Sequence, residues 1–435
     1  MIKPNEYARR RQQLMRIAGE GSIVIVRAAA ERVRNNDVLY PFRQDSDFLY
    51  LTGFHEPESM LVLVPDQGEG TAILFCRERD PQKEMWDGPM AGLEAAVERY
   101  GMDQAWPVTE AGQRLPGLLE DRIRIYYDLG KDAPFDARLI AWLNEFRGKS
   151  RRTFHAPEEI HSLDHMLHDM RLYKSRGELS AMRKAARVGV QAQELAMQSC
   201  AAGRNEADVH AALVHTYMVN HCEAAYPPIV GGGANACVLH YTANNQPLAD
   251  GDLLLVDAGP EYDGYASDIT RTYPVNGRFS GPQRDLYEAV LEAQKQAIAT
   301  VRPGCHWEDI HASAVSALTD GLLALGILKV SREEAIEKGM VDNFYVHKTG
   351  HWLGLDVHDV GDYQVDGHSR ELEPGMVLTI EPGIYIRSDD TSVPKRWRGM
   401  GIRIEDDVAV TREEPEVLTR ALAKTVDEIE AQMAS

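Results

Sequence analysis

The sequence has no apolar run of membrane-spanning length, no cysteine pair at CxxC spacing and no surplus of basic charge. The first absence argues against a transmembrane helix. The polar N-terminal stretch MIKPNEYARRRQQLMRIAGEG also lacks the apolar centre of a secretory signal, so a cytoplasmic protein is the expectation. The five cysteines, Cys76, Cys200, Cys222, Cys237 and Cys305, are scattered and odd in number. They fit reduced, mostly buried thiols rather than a disulfide framework or a thiolate metal site. Positive charge is scarce: 47 Lys and Arg stand against 67 Asp and Glu, a formal net charge of -20. Such a field does not draw in nucleic acid or an anionic membrane face, and neither is expected as a partner. Part of the acidic surplus is available as ligand carboxylate.

What is present is ordinary for a globular chain: 435 residues, 44% hydrophobic and 26% charged, enough for two cores. Residues 1–170 read as an α/β domain. SIVIV, LVLV, TAILF and RIRIYYDL are short β-like runs, and DARLIAWLNEFR carries an apolar face at Leu139, Ile140, Leu143 and Phe146. A second domain, residues 171–435, opens near Arg171. Ser175 and Glu178 have capping-box spacing, which predicts a helix from there to about Cys200. Further helical patterns cover residues 205–222 and 283–301. Isolated strands and Gly-rich turns lie among them, which favours an α+β core over a regular βαβ repeat. The polar stretch SDDTSVPKRWRGMG reads as a loop between two strands.

Four carboxylates interrupt apolar or β-prone runs. In VDAGPEYDGYASDITRT, Asp263-Gly264 is a two-residue hairpin signal. It sets Tyr262 opposite Tyr265 and Asp257 opposite Thr270, with Asp268 two residues before Thr270 on the same face. Asp257 and Asp268 are then diagonal cross-strand neighbours. Two bare carboxylates at that distance repel and raise one pKa, and a divalent cation between them removes the conflict. Glu381 interrupts LTIEPGIYI just before Pro382. In GIRIEDDVAV, alternation puts Arg403 and Glu405 on one face, about 7 Å apart, a long reach for a direct ion pair. His347, His351 and His358 fall within HKTGHWLGLDVHD. Taken singly, each of these residues also fits a salt bridge, a solvated position or a structural histidine. Together, four carboxylates and at least one histidine without thiolate suit a hard to borderline ion such as Mn(II), Co(II) or Zn(II). Five protein ligands are too many for one catalytic ion with an open position. They suit two ions sharing a bridging carboxylate and water.

These motifs resemble the pita-bread dinuclear metallopeptidases, which include methionine aminopeptidase, prolidase and aminopeptidase P. The ordered set Asp257, Asp268, His351, Glu381 and Glu405 matches the family's ligand pattern, in the contexts GHWLGLDVHD, EPGIY and IRIEDD. The likeness covers residues 171 to the C-terminus. Upstream, YPFRQDSDFLYLTGF resembles a segment of aminopeptidase P. The resemblance implies an α+β pita-bread catalytic domain preceded by a smaller α/β N-terminal domain. It implies a metal-dependent aminopeptidase that releases the N-terminal residue of peptides with proline at position two, by attack of a metal-bridging hydroxide on the Xaa-Pro bond. Two divalent ions per chain are implied, Mn(II) first, with Zn(II) or Co(II) as alternatives. Asp257 would chelate one ion and His351 the other. Asp268 and Glu405 would bridge, and Glu381 would both ligate and handle the water's proton.

Other roles follow from the same resemblance. His240 and His358 match the two non-ligand histidines that hold the scissile carbonyl and the substrate. His347 matches a histidine bordering the pocket, Arg403 tunes a carboxylate ligand, and Tyr385 forms a pocket wall. Trp86, in KEMWDGPMAG, matches a Trp-bearing loop that reaches a neighbouring subunit's active site. A homo-oligomer, dimer or tetramer, is thereby implied; the other reading packs Trp86 in its own core. Lys348 departs from the family, which more often has a small residue after the first histidine of the motif. Prolidase, an Xaa-Pro dipeptidase, is the alternative function. No arginine here is an evident clamp for its substrate's free carboxylate, although Lys348, Lys395, Arg396 and Arg398 keep it open. A creatinase-like enzyme shares the fold without the metals, and a non-enzymatic relative would typically lose ligands. All five ligand positions are filled here, which argues against both.

Overall fold

The β-prone runs of the N-terminal part pair into one mixed six-stranded sheet. The computed structural model, which describes residues 2–66, 68–149 and 155–434, orders the strands as Gln104–Pro107, Thr71–Cys76, Met60–Val64, Ser22–Arg27, Arg124–Tyr126 and Glu159–His161. Ser22–Arg27 runs antiparallel to Met60–Val64 and parallel to Arg124–Tyr126. These central strands are buried almost throughout, as expected for apolar runs covered on both faces. Helix Ala133–Lys149 packs Phe135, Leu139, Leu143 and Phe146 into the same core. Ile140, expected on that face, is 49% exposed. The i, i+4 line through 135, 139 and 143 selects the buried stripe, and Ile140 falls to its flank. This part forms one compact unit, Met1–Met170, and the rest a second, Arg171–Ser435.

The second unit begins with the expected cap. Ser175 Oγ accepts from Glu178 N, and Glu178 Oε2 accepts from Ser175 N at 2.8 Å. The helix it starts runs Arg176–Ser199, and Glu206–Val219, Gly281–Thr300 and Trp307–Ala324 follow. Three small sheets carry the site: Ile229–Gly232 with Leu253–Asp257 and Thr270–Pro274; Val377–Ile380 with Asp406–Ala409 and Glu416–Val417; and Gly383–Ile386 with Met400–Arg403. They are stitched together at one place. Glu405 N donates to Thr270 O at 3.0 Å, and Thr272 Oγ1 donates to Arg403 O at 3.0 Å. The loop before Met400 is less polar than its sequence, because a turn at Lys395–Trp397 buries Trp397. The five cysteines are free, four buried and Cys237 half-buried. Among the described residues no helix is long and apolar enough to cross a membrane.

Candidate metal centre

The hairpin has the register read from its turn. Asp257 pairs with Thr270 and Tyr262 with Tyr265. Asp263 and Gly264 both have positive φ, 52° and 81°, as a two-residue type I′ turn requires. Gly259 lies directly across from Asp268. A Cβ there would stand 1.6 Å from Ser267 O, so only glycine lets the two strands close on each other. Asp257 and Asp268 are both buried, and the Tyr226 hydroxyl sits between them, 2.6 Å from Asp257 Oδ1 and in contact with Asp268 Oδ1. One phenolic proton serves one carboxylate at a time, so the other keeps its charge conflict.

His351 is presented by a segment that runs alongside the strand Val377–Ile380. Thr379 N donates to His351 O at 2.9 Å, His351 N to Thr379 Oγ1 at 3.0 Å, and Glu381 N to Thr349 O at 2.8 Å. Gly350 permits this approach, since a Cβ there would lie 1.9 Å from Thr379 O. The imidazole and the Glu381 carboxylate therefore emerge side by side. His351 Nε2 is 3.4 Å from Asp268 Oδ2 and 3.5 Å from Glu381 Oε1. Its Nδ1 lies 3.0 Å from Trp352 O. A carbonyl can only accept, so Nδ1 carries a proton and, in the neutral ring, Nε2 offers its lone pair toward the acids, the tautomer of a metal ligand.

Glu405 completes the group. Donor atoms of Asp268, His351 and Glu405 all lie within 4.8 Å of one another. Arg403 does not pair with Glu405. Its Nη2 binds Asp257 Oδ2, its Nε donates to Thr270 Oγ1 at 3.0 Å and its Nη1 to Tyr385 OH at 2.7 Å. Thr270 Oγ1 in turn donates to Glu405 Oε2 at 2.6 Å. Tyr385 OH, holding a bond from Arg403, passes its own proton toward His347 Nε2 at 2.8 Å. His347 is thereby fixed as a neutral ring, and burial together with the Arg403 charge depresses its pKa to about 3.

Electrostatics make the same case for a cation. Burial raises Glu405 far above the usual carboxylate range, helped by the charges of Asp268, Glu381 and Asp257. Burial likewise raises Asp257 against the pull of Arg403, and Glu381 to about 7 against His351 and Arg403. Three buried carboxylates and the half-buried Glu381, with one guanidinium and one imidazole, form an over-acidic group that a bound cation would neutralise. The oxygen-rich donor set with a single imidazole fits such ions.

His358, expected to hold substrate rather than metal, stands beside this cluster. The His358 ring lies 4.4 Å from that of His351, centroid to centroid, at 82°. The next residue, Asp359, is buried between two cations: Oδ1 is 2.6 Å from Arg171 Nη2 and Oδ2 is 2.9 Å from Lys174 Nζ. This clamp holds the loop that carries both histidines. His240 is exposed on a turn, near enough for its charge to lower both His347 and His358. Lys348 is exposed, and its charge adds to burial in lowering His311. Trp86 is in the other unit, on the helix Pro81–Asp87, and is 87% exposed, so it does not pack in its own core.

The family model for metallopeptidase family M24 matches residues 180–412, and that for the aminopeptidase P N-terminal domain matches residues 7–126. The chain belongs to metallopeptidase family M24. Across this family its relatives include the Xaa-Pro aminopeptidase of Escherichia coli K12, 43% identical over 438 residues that cover 100% of this chain and 98% of the relative. Among solved structures, Pseudomonas aeruginosa aminopeptidase PepP superposes with a TM-score of 0.98 at 51% identity, covering 100% of this chain and 98% of that one. Zn-substituted E. coli aminopeptidase P in complex with product gives 0.97 at 42%, with the same coverage. The chain is thus an M24 metallopeptidase with the α+β pita-bread fold preceded by a smaller α/β domain.

In an M24 site the histidine charge state is a handle on metal occupancy. Burial alone would lower His351, but its bond to Asp268 and the charges of Glu381 and Asp268 raise it from 6.5 to about 9. In the metal-free protein this stabilisation is complete below pH 6.5 and is lost as pH rises to about 9. Glu381, raised from 4.5 to about 7, is increasingly penalised over that range and adds to the loss up to about pH 7. Metal-free protein should therefore melt at falling temperature between pH 6.5 and 9. Metal-loaded protein, whose ligands are already deprotonated, should not share that slope. Thermal melts of both forms across this range test it; parallel curves would contradict the charge account.

Proposed function

We propose that the chain is an Xaa-Pro aminopeptidase, and the observation that carries this is the convergence of Asp268, His351 and Glu405 within 4.8 Å, flanked by Asp257 and Glu381. In this reading residues 171–435 are the catalytic domain and residues 1–170 a separate one. Asp257, Asp268, His351, Glu381 and Glu405 would hold two divalent ions. Mn(II) is the preferred ion on the oxygen-rich donor set, ahead of Zn(II) and Co(II). When bound, the ions supply an acidified water and polarise the scissile carbonyl.

The remaining chemistry belongs to the chain's own groups. Glu381, whose Oε1 lies 3.5 Å from His351 Nε2 at the edge of the carboxylate group, would take a proton from the attacking water and deliver it to the proline nitrogen. His358 and His240 steady the carbonyl oxygen and the peptide. Arg403 fixes Asp257 and, through Tyr385, the ring of His347 at the pocket edge. A site of this kind suits proline. The Xaa-Pro amide has no N–H to grip and its ring fixes φ, so recognition falls on the carbonyl and the free amine. The same reading takes the protein as cytoplasmic and homo-oligomeric, a dimer or tetramer. Its free cysteines and the exposed Met85 and Trp86 support that.

Chain length of the substrate separates this function from a prolidase. A dipeptide Xaa-Pro places its carboxylate directly after the ring, beside the metal ions. His240, His358, His347 and Tyr385 offer it no dedicated cation, and Arg403 is engaged with Asp257. A further residue moves the carboxylate about 3.5 Å outward. Ala-Pro-Ala and Ala-Pro-Ala-Ala should be cleaved with higher kcat/KM than Ala-Pro under one metal condition. Equal or faster cleavage of the dipeptide would make the protein a prolidase.

A further inference from the structure

Glu206 is outside the metal-ligand set, yet it is fully buried in the first turn of the helix Glu206–Val219. Its carboxylate accepts four hydrogen bonds, two on each oxygen. Oε1 receives Gly232 N at 2.8 Å and Asn235 Nδ2 at 3.0 Å; Oε2 receives Tyr241 OH at 2.8 Å and Gln246 N at 2.9 Å. All four donors belong to residues 232–246, the segment that carries His240. Two precede the histidine and two follow it. Glu206 N also donates to Gln246 O at 2.9 Å. Among the described residues no cation pairs with Glu206, so these neutral donors are what compensates its buried charge.

The segment it gathers has little regular structure of its own. Beyond a short 3-10 turn, Gly233–Cys237, the stretch around His240 has only single backbone bonds, Val238 N to Asn235 O at 3.0 Å and Tyr241 N to Val238 O at 3.2 Å; past it, the buried Asn244 ties the segment to Val230 N at 3.0 Å and Pro228 O at 2.8 Å. Asn235 and Tyr241, the ends of that relay, are the same residues whose side chains bind Glu206. Gly232 fits tightly as well, since a Cβ there would stand 2.9 Å from Leu248 Cδ2. An exposed histidine on a turn needs such an anchor to hold one place.

We propose that Glu206 is the positioning residue for His240, a buried carboxylate that gathers Gly232, Asn235, Tyr241 and Gln246 on either side of the histidine and so sets where the imidazole meets the substrate. This rests on the reading of His240 as a substrate-holding group. The geometry explains why a carboxylate is needed. It has four lone-pair sites and no proton, matching four donors. A glutamine of the same size presents an NH2 to two of them.

The test is a double-mutant cycle of Glu206→Gln and His240→Ala, with metal content held equal, together with hydrogen exchange of the loaded and metal-free protein. Glu206→Gln should lower kcat/KM for Ala-Pro-Ala by at least about tenfold, on the scale of a small misplacement of a catalytic group. Its amides at 232–246 should exchange faster while those of the strand Leu253–Asp257 do not. Added to His240→Ala, it should cost little more. Losses that multiply in the double variant, or unchanged exchange at 232–246, overturn the proposal. So does wild-type activity of Glu206→Gln while His240→Ala is slow, which leaves the reading of His240 standing. Full activity of His240→Ala overturns that reading, and the proposal falls with it. If Glu206→Gln does not fold, Tyr241→Phe removes one donor and leaves the carboxylate in place. The same cycle then applies with a smaller expected loss and the same criteria.

Discussion

Glu381→Gln is expected to lower kcat by about 10³-fold and to loosen metal binding at the same time. The glutamate has two tasks that an amide cannot share. In the proposed site it would offer charge to the metal ions beside Asp268 and His351, and its carboxylate would accept the proton of the attacking water and return it to the leaving nitrogen. General acid–base groups contribute roughly 10²–10⁴-fold. Loss of a ligand charge adds to that whenever metal is limiting. His358→Ala provides the contrast. Its ring stacks edge-on to His351 without joining the ligand group, so metal content should hold while kcat falls about 10²-fold, the scale of one oxyanion donor. Kinetics paired with elemental analysis of both variants decide the matter. A metal-depleted His358→Ala protein would mean that the histidine is a ligand, and a fully active Glu381→Gln protein would leave the proton without its carrier.

Removing the metals should abolish Xaa-Pro hydrolysis, and reconstitution with Mn(II) should restore it as occupancy approaches two ions per chain. The physical reason is the density of charge around Asp257, Asp268, Glu381 and Glu405. Without cations, these carboxylates must either protonate, as the raised Asp257, Glu381 and Glu405 indicate, or repel. Both states lack the arrangement that acidifies a water. Ligand binding also stabilises the folded state by mass action, so the melting temperature should climb with the same titration. Activity that survives exhaustive chelation, or a stoichiometry that stays at zero with every divalent ion tried, would refute a metal centre here.

Much of the site was legible because its geometry is local. The Asp263-Gly264 turn fixes the hairpin register, and with it the relation of Asp257, Thr270 and Asp268, within the fourteen residues from Asp257 to Thr270. Strand alternation put Arg403 and Glu405 on one face, and the chain kept them from pairing, as their spacing implied. What could not be read were contacts between distant segments. Tyr226 reaches two aspartates 31 and 42 positions away, and nothing in AYPPIV marks it. His311 meets Thr349 across 38 residues from near the start of the helix Trp307–Ala324. The stripe of the helix Ala133–Lys149 was read one residue too wide at Ile140 for a different reason. Periodicity gives the direction of a buried face, whereas its width depends on the sheet it meets.

The Asp359 clamp bears on where the catalytic domain can be cut. Both cations that hold Asp359, Arg171 and Lys174, precede the helix Arg176–Ser199, and both fall upstream of residue 180, where the family match begins. A recombinant fragment trimmed to that match would shed them and strand a buried carboxylate next to His358, a loss of several kcal/mol on the scale of a broken buried ion pair. A handful of residues that look like tether are in this sense foundation. An excised peptidase that is to keep its histidines in place has to start no later than Arg171.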